Sequence, residues 1–137
     1  MPDAKDAPVS PEHRLRCKVY YEDTDCMGVV YYANYFKYLE RGRTELLSDL
    51  GLSVATLGEQ GTLFVVYHVD ATFRAPARLT DELEIVTRAR VTSPYRVTFD
   101  QRVECPQRSP KPLLTAEVEI VCVDRDGGLK QVPALGF

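Results

Sequence analysis

Two histidines, His13 and His68, are all that 137 residues provide, and they lie far apart. The four cysteines, Cys17, Cys26, Cys105 and Cys122, form no C-x-x-C pair. Zinc needs clustered nitrogen and sulfur ligands, so this inventory argues against it. Calcium fares no better. D-T-D-C-M-G, Asp23 to Gly28, has the opening residues of a calcium loop, but Met27 occupies the fifth position and Asn34, not glutamate, the twelfth. There is no G-x-S-x-G nucleophile turn, no Walker loop and no G-x-G-x-x-G. The expectation is a protein with neither metal nor cofactor.

Charge of one sign is also scarce. A net charge of −3 lacks the basic excess of a nucleic-acid-binding domain, although a few local cations would suffice for a small anionic ligand. The most apolar run, LFVVYHV, is too short to span a bilayer, so no integral membrane segment is expected. The opening MPDAKDAPVSPEHR has three prolines and no apolar core of a secretory signal. Residues 1–13 read as a flexible tail. Scattered thiols without a secretory context read as reduced, which places the protein in the cytoplasm. Residues 14–137 are enough for a single domain with its own core.

What that domain contains is alternation. Leu15, Cys17, Val19 and Tyr21 take one phase, and Arg14, Arg16, Lys18 and Tyr20 the other. Leu63, Val65, Tyr67, Val69, Ala71 and Phe73 share a phase, as do Leu83 to Val91, Tyr95 to Val103 and Leu114 to Cys122 at every second position. Period two puts successive side chains on opposite faces, and one-sided patterning marks an antiparallel sheet with one covered face. The 63–73 strand is apolar in its other phase too, at Phe64 and Val66, the mark of a second burial surface such as a subunit interface. One segment alone has helical character. From Tyr31 to about Leu50, Tyr31, Tyr35, Tyr38, Leu39, Leu46 and Leu50 form a stripe, widened by Tyr32, Phe36 and Leu47, and Gly51 supplies the stop. One long helix with five antiparallel strands gives an α+β domain, the helix lying across the covered face.

The chemistry concentrates in YYEDTDCMGVVYYANYF, Tyr20 to Phe36. Helix capping is the default role for an acidic residue here. Asp25, however, lies six residues before Tyr31, too far to be the N-cap. The apolar, glycine-containing C-M-G-V-V suits a loop that folds back over the helix end. A carboxylate then faces the free amides of the first turn, which can hold an oxyanion. Glu22 and Asp23 read as strand-end residues without assigned chemistry. Cys26 beside acidic groups is a poor nucleophile, and His68 shares the polar face of its strand with Asp70 and Thr72, a rim position. Glu40 and Arg43, three apart, are spaced to pair on the helix.

The residues from Val19 to Glu45, VYYEDTDCMGVVYYANYFKYLERGRTE, resemble the YbgC-like branch of the 4-hydroxybenzoyl-CoA thioesterase group, within the hotdog-fold superfamily. FRAPARLTDELEI, Phe73 to Ile85, resembles the group's second block. The resemblance implies a five-stranded sheet wrapped around one central helix, subunits paired edge to edge as a homodimer or homotetramer, and sites at the interface. It puts the catalytic carboxylate on Asp25 and the carbonyl-polarising backbone N–H at Tyr32. Many relatives carry histidine at position 32, so the part played by the Tyr32 side chain stays open. Gly28, Val29, Tyr31, Asn34 and Tyr35 are implied to line the acyl pocket or position the loop, with core packing as the other reading of the last three. Arg74 and Arg96, at strand ends, are the first candidates for the CoA phosphates, ahead of Arg88 and Arg90. The implied activity is hydrolysis of an acyl-CoA or acyl-carrier-protein thioester, Asp25 acting as nucleophile or general base. A hotdog dehydratase ranks below, because no histidine occupies the loop or the helix start. A non-catalytic dimeric acyl-CoA-binding or scaffold protein is the alternative.

Overall fold

The computed structural model describes residues 7–137; the first part of the expected tail, 1–6, lies outside the described residues. Five strands form one antiparallel sheet: β1 (His13–Lys18), β2 (Leu63–Phe73), β3 (Glu82–Ser93), β4 (Arg96–Glu104) and β5 (Leu114–Val123), in the order β1-β3-β4-β5-β2. Residues 7–12 do not hang free. Ser10 is buried, its N–H donates to Ala89 O at 2.9 Å and its Oγ accepts from Ala89 N at 2.8 Å.

The long helix α1 (Tyr35–Asp49) lies on the concave face against β1, β3 and β4. Its buried residues, Tyr35, Tyr38, Leu39, Gly42, Leu46 and Leu47, recur every three to four positions, as a helix with one covered face requires. They meet Leu83, Ile85, Phe99, Val103 and Val118 of the sheet in one core. Under the helix Gln101 is fully engaged: its Nε2 donates to Leu39 O and Thr87 Oγ1, both at 2.9 Å, and its Oε1 accepts from Arg43 at 3.1 Å. The helix ends as expected. Gly51, at φ +82°, donates to Ser48 O while Leu52 N donates to Leu47 O, the paired bonds of a Schellman stop.

Three expectations need correction. The helix does not start at Tyr31; a turn of 3-10 helix over Tyr32–Asn34 leads into α1, and Tyr31, Tyr32 and Phe36 are exposed rather than part of the buried stripe. A second helix, α2 (Val54–Glu59), escaped notice because six residues show no period; Ser53 Oγ caps it by accepting from Thr56 N at 3.2 Å. The 63–73 strand does not keep one phase. Its register on β5 shifts between Val66 and His68, so Phe64 and Val66 lie opposite Cys122 and Ile120, and Val69, Ala71 and Phe73 opposite Val118, Ala116 and Leu114. All five therefore face the helix side, and Tyr67 is the extra residue of a bulge. Apolar residues in both phases were the sequence trace of that bulge.

The convex face carries a charge network. Arg14 Nη1 donates to Glu84 at 2.7 Å and Glu104 at 2.9 Å, and Arg102 binds Glu12 at 3.0 Å and Glu104 at 2.9 Å. Burial alone would raise the pKa of Glu12 and Glu104, but hydrogen bonds and charge from Arg102 and Arg14 outweigh it and hold both below the usual carboxylate range. A depressed folded-state pKa stabilises the fold above the ordinary carboxylate value and stops doing so as pH falls through the depressed one. The melting temperature is therefore expected to stay level from pH 8 to 6 as far as this network is concerned, and to fall below about pH 4.3. Glu12→Gln should show a shallower acid slope in thermal melts. An equal slope in both proteins would remove the network from the account.

Candidate active site

Asp25 sits on a small hairpin between β1 and the helix. Thr24 and Val30 form an antiparallel bridge, Asp25 N donates to Val29 O at 2.9 Å, and Gly28 N donates to Asp25 O at 3.1 Å. Gly28 turns the tip at φ +77°, where a side chain would be strained. Closing the hairpin carries Asp25 back beside Val29 and Val30, and the chain runs from there straight into Tyr31 and Tyr32. The Asp25 carboxylate is half-buried and half-committed: Oδ1 accepts from Met27 N at 2.8 Å, and Oδ2 accepts no hydrogen bond among the described residues. At the start of the helical turn the Tyr32 N–H likewise has no acceptor among the described residues.

Two braces hold these groups. Tyr31 N donates to Asp23 O at 3.0 Å and Asn34 Nδ2 donates to the same oxygen at 2.9 Å, while Asp23 Oδ2 accepts from Tyr20 N at 2.9 Å. Asp23, given no chemistry from sequence, is thus the residue that fastens the loop to the helix start. On the other side the segment 76–81 clasps the hairpin. Val30 N donates to Ala77 O at 2.8 Å, Leu79 N to Gly28 O at 3.1 Å, and Val29 bridges Arg78. Tyr35 is buried and its hydroxyl accepts from Ala77 N at 2.9 Å, so it braces this clasp. Burial pushes its hydroxyl pKa up, against the pull of the Ala77 bond.

Beside the hairpin lies an open aromatic group: Tyr31 and Tyr32 at 5.0 Å between centroids, then Phe73 edge-on to Tyr32 at 6.3 Å and to Tyr35 at 5.5 Å. Arg74 follows Phe73, and its Nε donates to Thr115 Oγ1 at 3.2 Å. Arg78, unnoticed in the sequence, adds a guanidinium with no carboxylate within ion-pair distance among the described residues. Arg96 is not brought here within one chain. It stacks over the Tyr67 ring at 4.5 Å, opposite Val121 and so near Val65, roughly 25 Å along β2 from Phe73. Arg88 and Arg90 face the other way and are neutralised, Arg88 by Glu12 and Arg90 by Asp100 and Glu117.

The Glu40–Arg43 pair does not form. Glu40 accepts from Thr44 Oγ1 at 2.9 Å, and Arg43, its pKa drawn down by burial, turns inward to Gln101. Cys17 and Cys122 are no nucleophiles, since burial pushes both thiols up to about 11. His68 is exposed on the outer face beside Glu119, as its phase suggested. Among the described residues no three His, Cys, Asp or Glu side chains gather to hold a metal, and no helix is long and apolar enough to cross a membrane.

The model of the thioesterase-like superfamily matches residues 19–135, which spans the hairpin, the helix and every strand after them. The chain belongs to the thioesterase-like superfamily. It is 42% identical over 111 residues to the acyl-CoA thioester hydrolase YbgC of Escherichia coli, covering 81% of each chain. To the acyl-CoA thioesterase YbgC of Helicobacter pylori it is 38% identical over 117 residues, 81% of this chain and 86% of that one. The crystal structure of a probable thioesterase from Bartonella henselae superposes with a TM-score of 0.83 at 34% identity, over 90% of this chain and all of the other. The five-stranded sheet around α1 is accordingly the hotdog fold, and this member of the superfamily is an enzyme, a thioester hydrolase.

Proposed function

We propose that this thioesterase hydrolyses acyl-CoA, with Asp25 as the reacting carboxylate and the Tyr32 N–H as the donor that polarises the thioester carbonyl. The observation that carries the reading is a pair of uncommitted groups, Asp25 Oδ2 on the clamped hairpin and the Tyr32 N–H at the start of the helical turn that follows it. A thioester carbonyl oxygen placed on the Tyr32 amide puts its carbon within reach of the hairpin, and the donor stabilises the oxyanion formed by attack. Two routes fit. Asp25 Oδ2 attacks the carbonyl carbon, expels the CoA thiolate and leaves a mixed anhydride that water opens; or Asp25 takes a proton from water as that water attacks, and the tetrahedral adduct collapses with loss of the thiolate. Either way the products are the free acid and the thiol, and a thiolate leaves without a strong general acid. Gly28 and Val29 shape the hairpin, and Tyr31, Tyr32 and Phe73 offer an apolar wall for the acyl group.

The substrate class is supported by the relatives named as acting on acyl-CoA. The deciding experiment is thiol release from short, long and aromatic acyl-CoAs and from acyl-carrier protein. Hydrolysis of at least one acyl-CoA is the expected result. Turnover of acyl-carrier protein with none of the acyl-CoAs would overturn the acyl-CoA reading.

The working unit is a homodimer or a dimer of such dimers, paired along β2. That strand is at the edge of the sheet, with Val65, Val66, Tyr67, Val69 and Phe73 all exposed, an apolar edge that a soluble monomer would be expected to blunt. Antiparallel pairing of two β2 edges sets the Leu63 end of one copy against the Phe73 end of the other. Arg96 on its Tyr67 ring then reaches the second copy's hairpin, where with Arg74 it can meet the CoA phosphates. Val66→Asp/Val69→Asp is expected to halve the mass in sedimentation, a dimer falling to one 15.5 kDa chain, and to abolish turnover. A variant that stays assembled and active would rule out this edge.

A further inference from the structure

The clasp that holds the hairpin has its own fastening, and it comes from a part of the chain that no site residue occupies. Segment 76–81 is a strained turn: Asp81 N donates to Arg78 O at 3.0 Å, and Thr80 within it lies at φ +70°, the one non-glycine residue in the left-handed region among those described. That conformation is strained for a β-branched residue, so surrounding contacts must impose it. They do so at both ends of the turn. Arg108, in the loop between β4 and β5, donates from Nη2 to Asp81 Oδ2 at 2.6 Å and from Nε to Asp81 Oδ1 at 3.2 Å. The same Nη2 donates to Pro76 O at 2.9 Å. Asp81 Oδ2 in turn accepts from Arg78 N at 2.8 Å, and Asp81 O from Val19 N at 2.9 Å. One planar fork thus spans the turn from Pro76 to Asp81, a geometry a lysine cannot reproduce.

We propose that Arg108, through Asp81 and Pro76, is a positioning residue for the Asp25 hairpin. This rests on the proposed catalytic reading. The path is short: hydrogen bonds tie Arg108 to Pro76 and Asp81, the backbone of the turn joins these to Ala77 and Leu79, and hydrogen bonds again tie those to Val30 and Gly28 on the limb of the hairpin that closes on Asp25. Released, the Thr80 turn relaxes toward ordinary backbone angles and carries Ala77 and Leu79 with it. Asp25 then loses register with the Tyr32 amide, while the acyl and CoA contacts on other elements persist. The effect therefore falls on turnover more than on binding, because small misplacements of reacting groups cost rate steeply.

The test compares Arg108→Ala, Arg108→Gln and Arg108→Lys with Arg102→Ala, which breaks an equally ion-paired arginine on the convex face, away from the hairpin. The alanine and glutamine variants are expected to lose about tenfold in kcat with KM within about twofold. Arg108→Lys should stay nearer to alanine than to wild type, and Arg102→Ala should keep kcat within about twofold even where its melting point falls as far. Amide exchange at Val30 and Leu79 should quicken in Arg108→Ala while the amides of β3 hold. Wild-type kcat in Arg108→Ala, an equal loss in Arg102→Ala, or unchanged exchange at Val30 and Leu79 would each overturn the proposal. Should Asp25→Asn remain active, the catalytic reading fails, and the exchange measurement still decides whether Arg108 fastens the hairpin.

Discussion

Asp25→Asn is expected to lower kcat/KM on the best acyl-CoA by at least about 100-fold, the lower end for removing a positioned acid–base group. The substitution is a clean one because of what each carboxylate oxygen does. Oδ1 accepts from Met27 N, and an asparagine carbonyl accepts the same bond, so the hairpin keeps its shape. Only the charge and the lone pairs of Oδ2 are lost, and Oδ2 is the atom with no other work among the described residues. Melting within about 0.5 kcal/mol of wild type should accompany the loss, as for a substitution that leaves packing alone. Activity near wild type in a folded Asp25→Asn protein would sink the mechanism. The wild-type protein sorts the two routes. Hydroxylamine added during turnover converts an aspartyl anhydride into an Asp25 hydroxamate, visible by mass; the general-base route leaves Asp25 unmodified.

The proposed site could be put forward from sequence because its two candidate groups are neighbours along the chain. Asp25 and Tyr32 are seven positions apart, and the glycine that lets the intervening segment turn lies between them. The strands were readable for a related reason: half-burial imposes period two on each segment separately, without knowledge of its partner. What failed to show depended on distant residues. The spacing of Glu40 and Arg43 permits a pair, but Gln101, brought from the middle of β4, offers Arg43 a buried acceptor instead. The bulge at Tyr67 is a compromise between two strands, and β2 alone gives only an apolar residue in each phase. The clasp at 76–81 and its fastening at Arg108 lie some fifty and eighty positions from Asp25, and arginine in a proline-bounded loop carries no signal of its own. Local chemistry is visible in a sequence; the groups that aim it are visible only after folding.

Gly42→Ala is expected to cost about 2–3 kcal/mol, as overpacking that also strains buried hydrogen bonds. Propensity alone predicts the opposite, since alanine is favoured over glycine inside a helix by about 1 kcal/mol. Contact decides the sign. A Cβ on Gly42 would stand 2.7 Å from Thr87 Oγ1, 2.8 Å from Ile85 Cγ2 and 3.1 Å from Gln101 Nε2. None of these can step aside cheaply: Thr87 and Ile85 are fully buried, and Gln101 Nε2 is bonded to both Thr87 and the Leu39 carbonyl. The helix must lift from the sheet or the Gln101 amide must give up a bond. Gly58→Ala in α2 is the matched control, for its Cβ would meet only Leu63 Cδ2 at an ordinary 3.7 Å. The same substitution there should leave stability unchanged or raise it by up to about 1 kcal/mol. Urea unfolding of the two variants thus separates packing from propensity within one chain: opposite shifts in midpoint place the helix hard against Thr87 and Ile85, and a shift toward greater stability in both would show that α1 rides higher on the sheet than that contact allows.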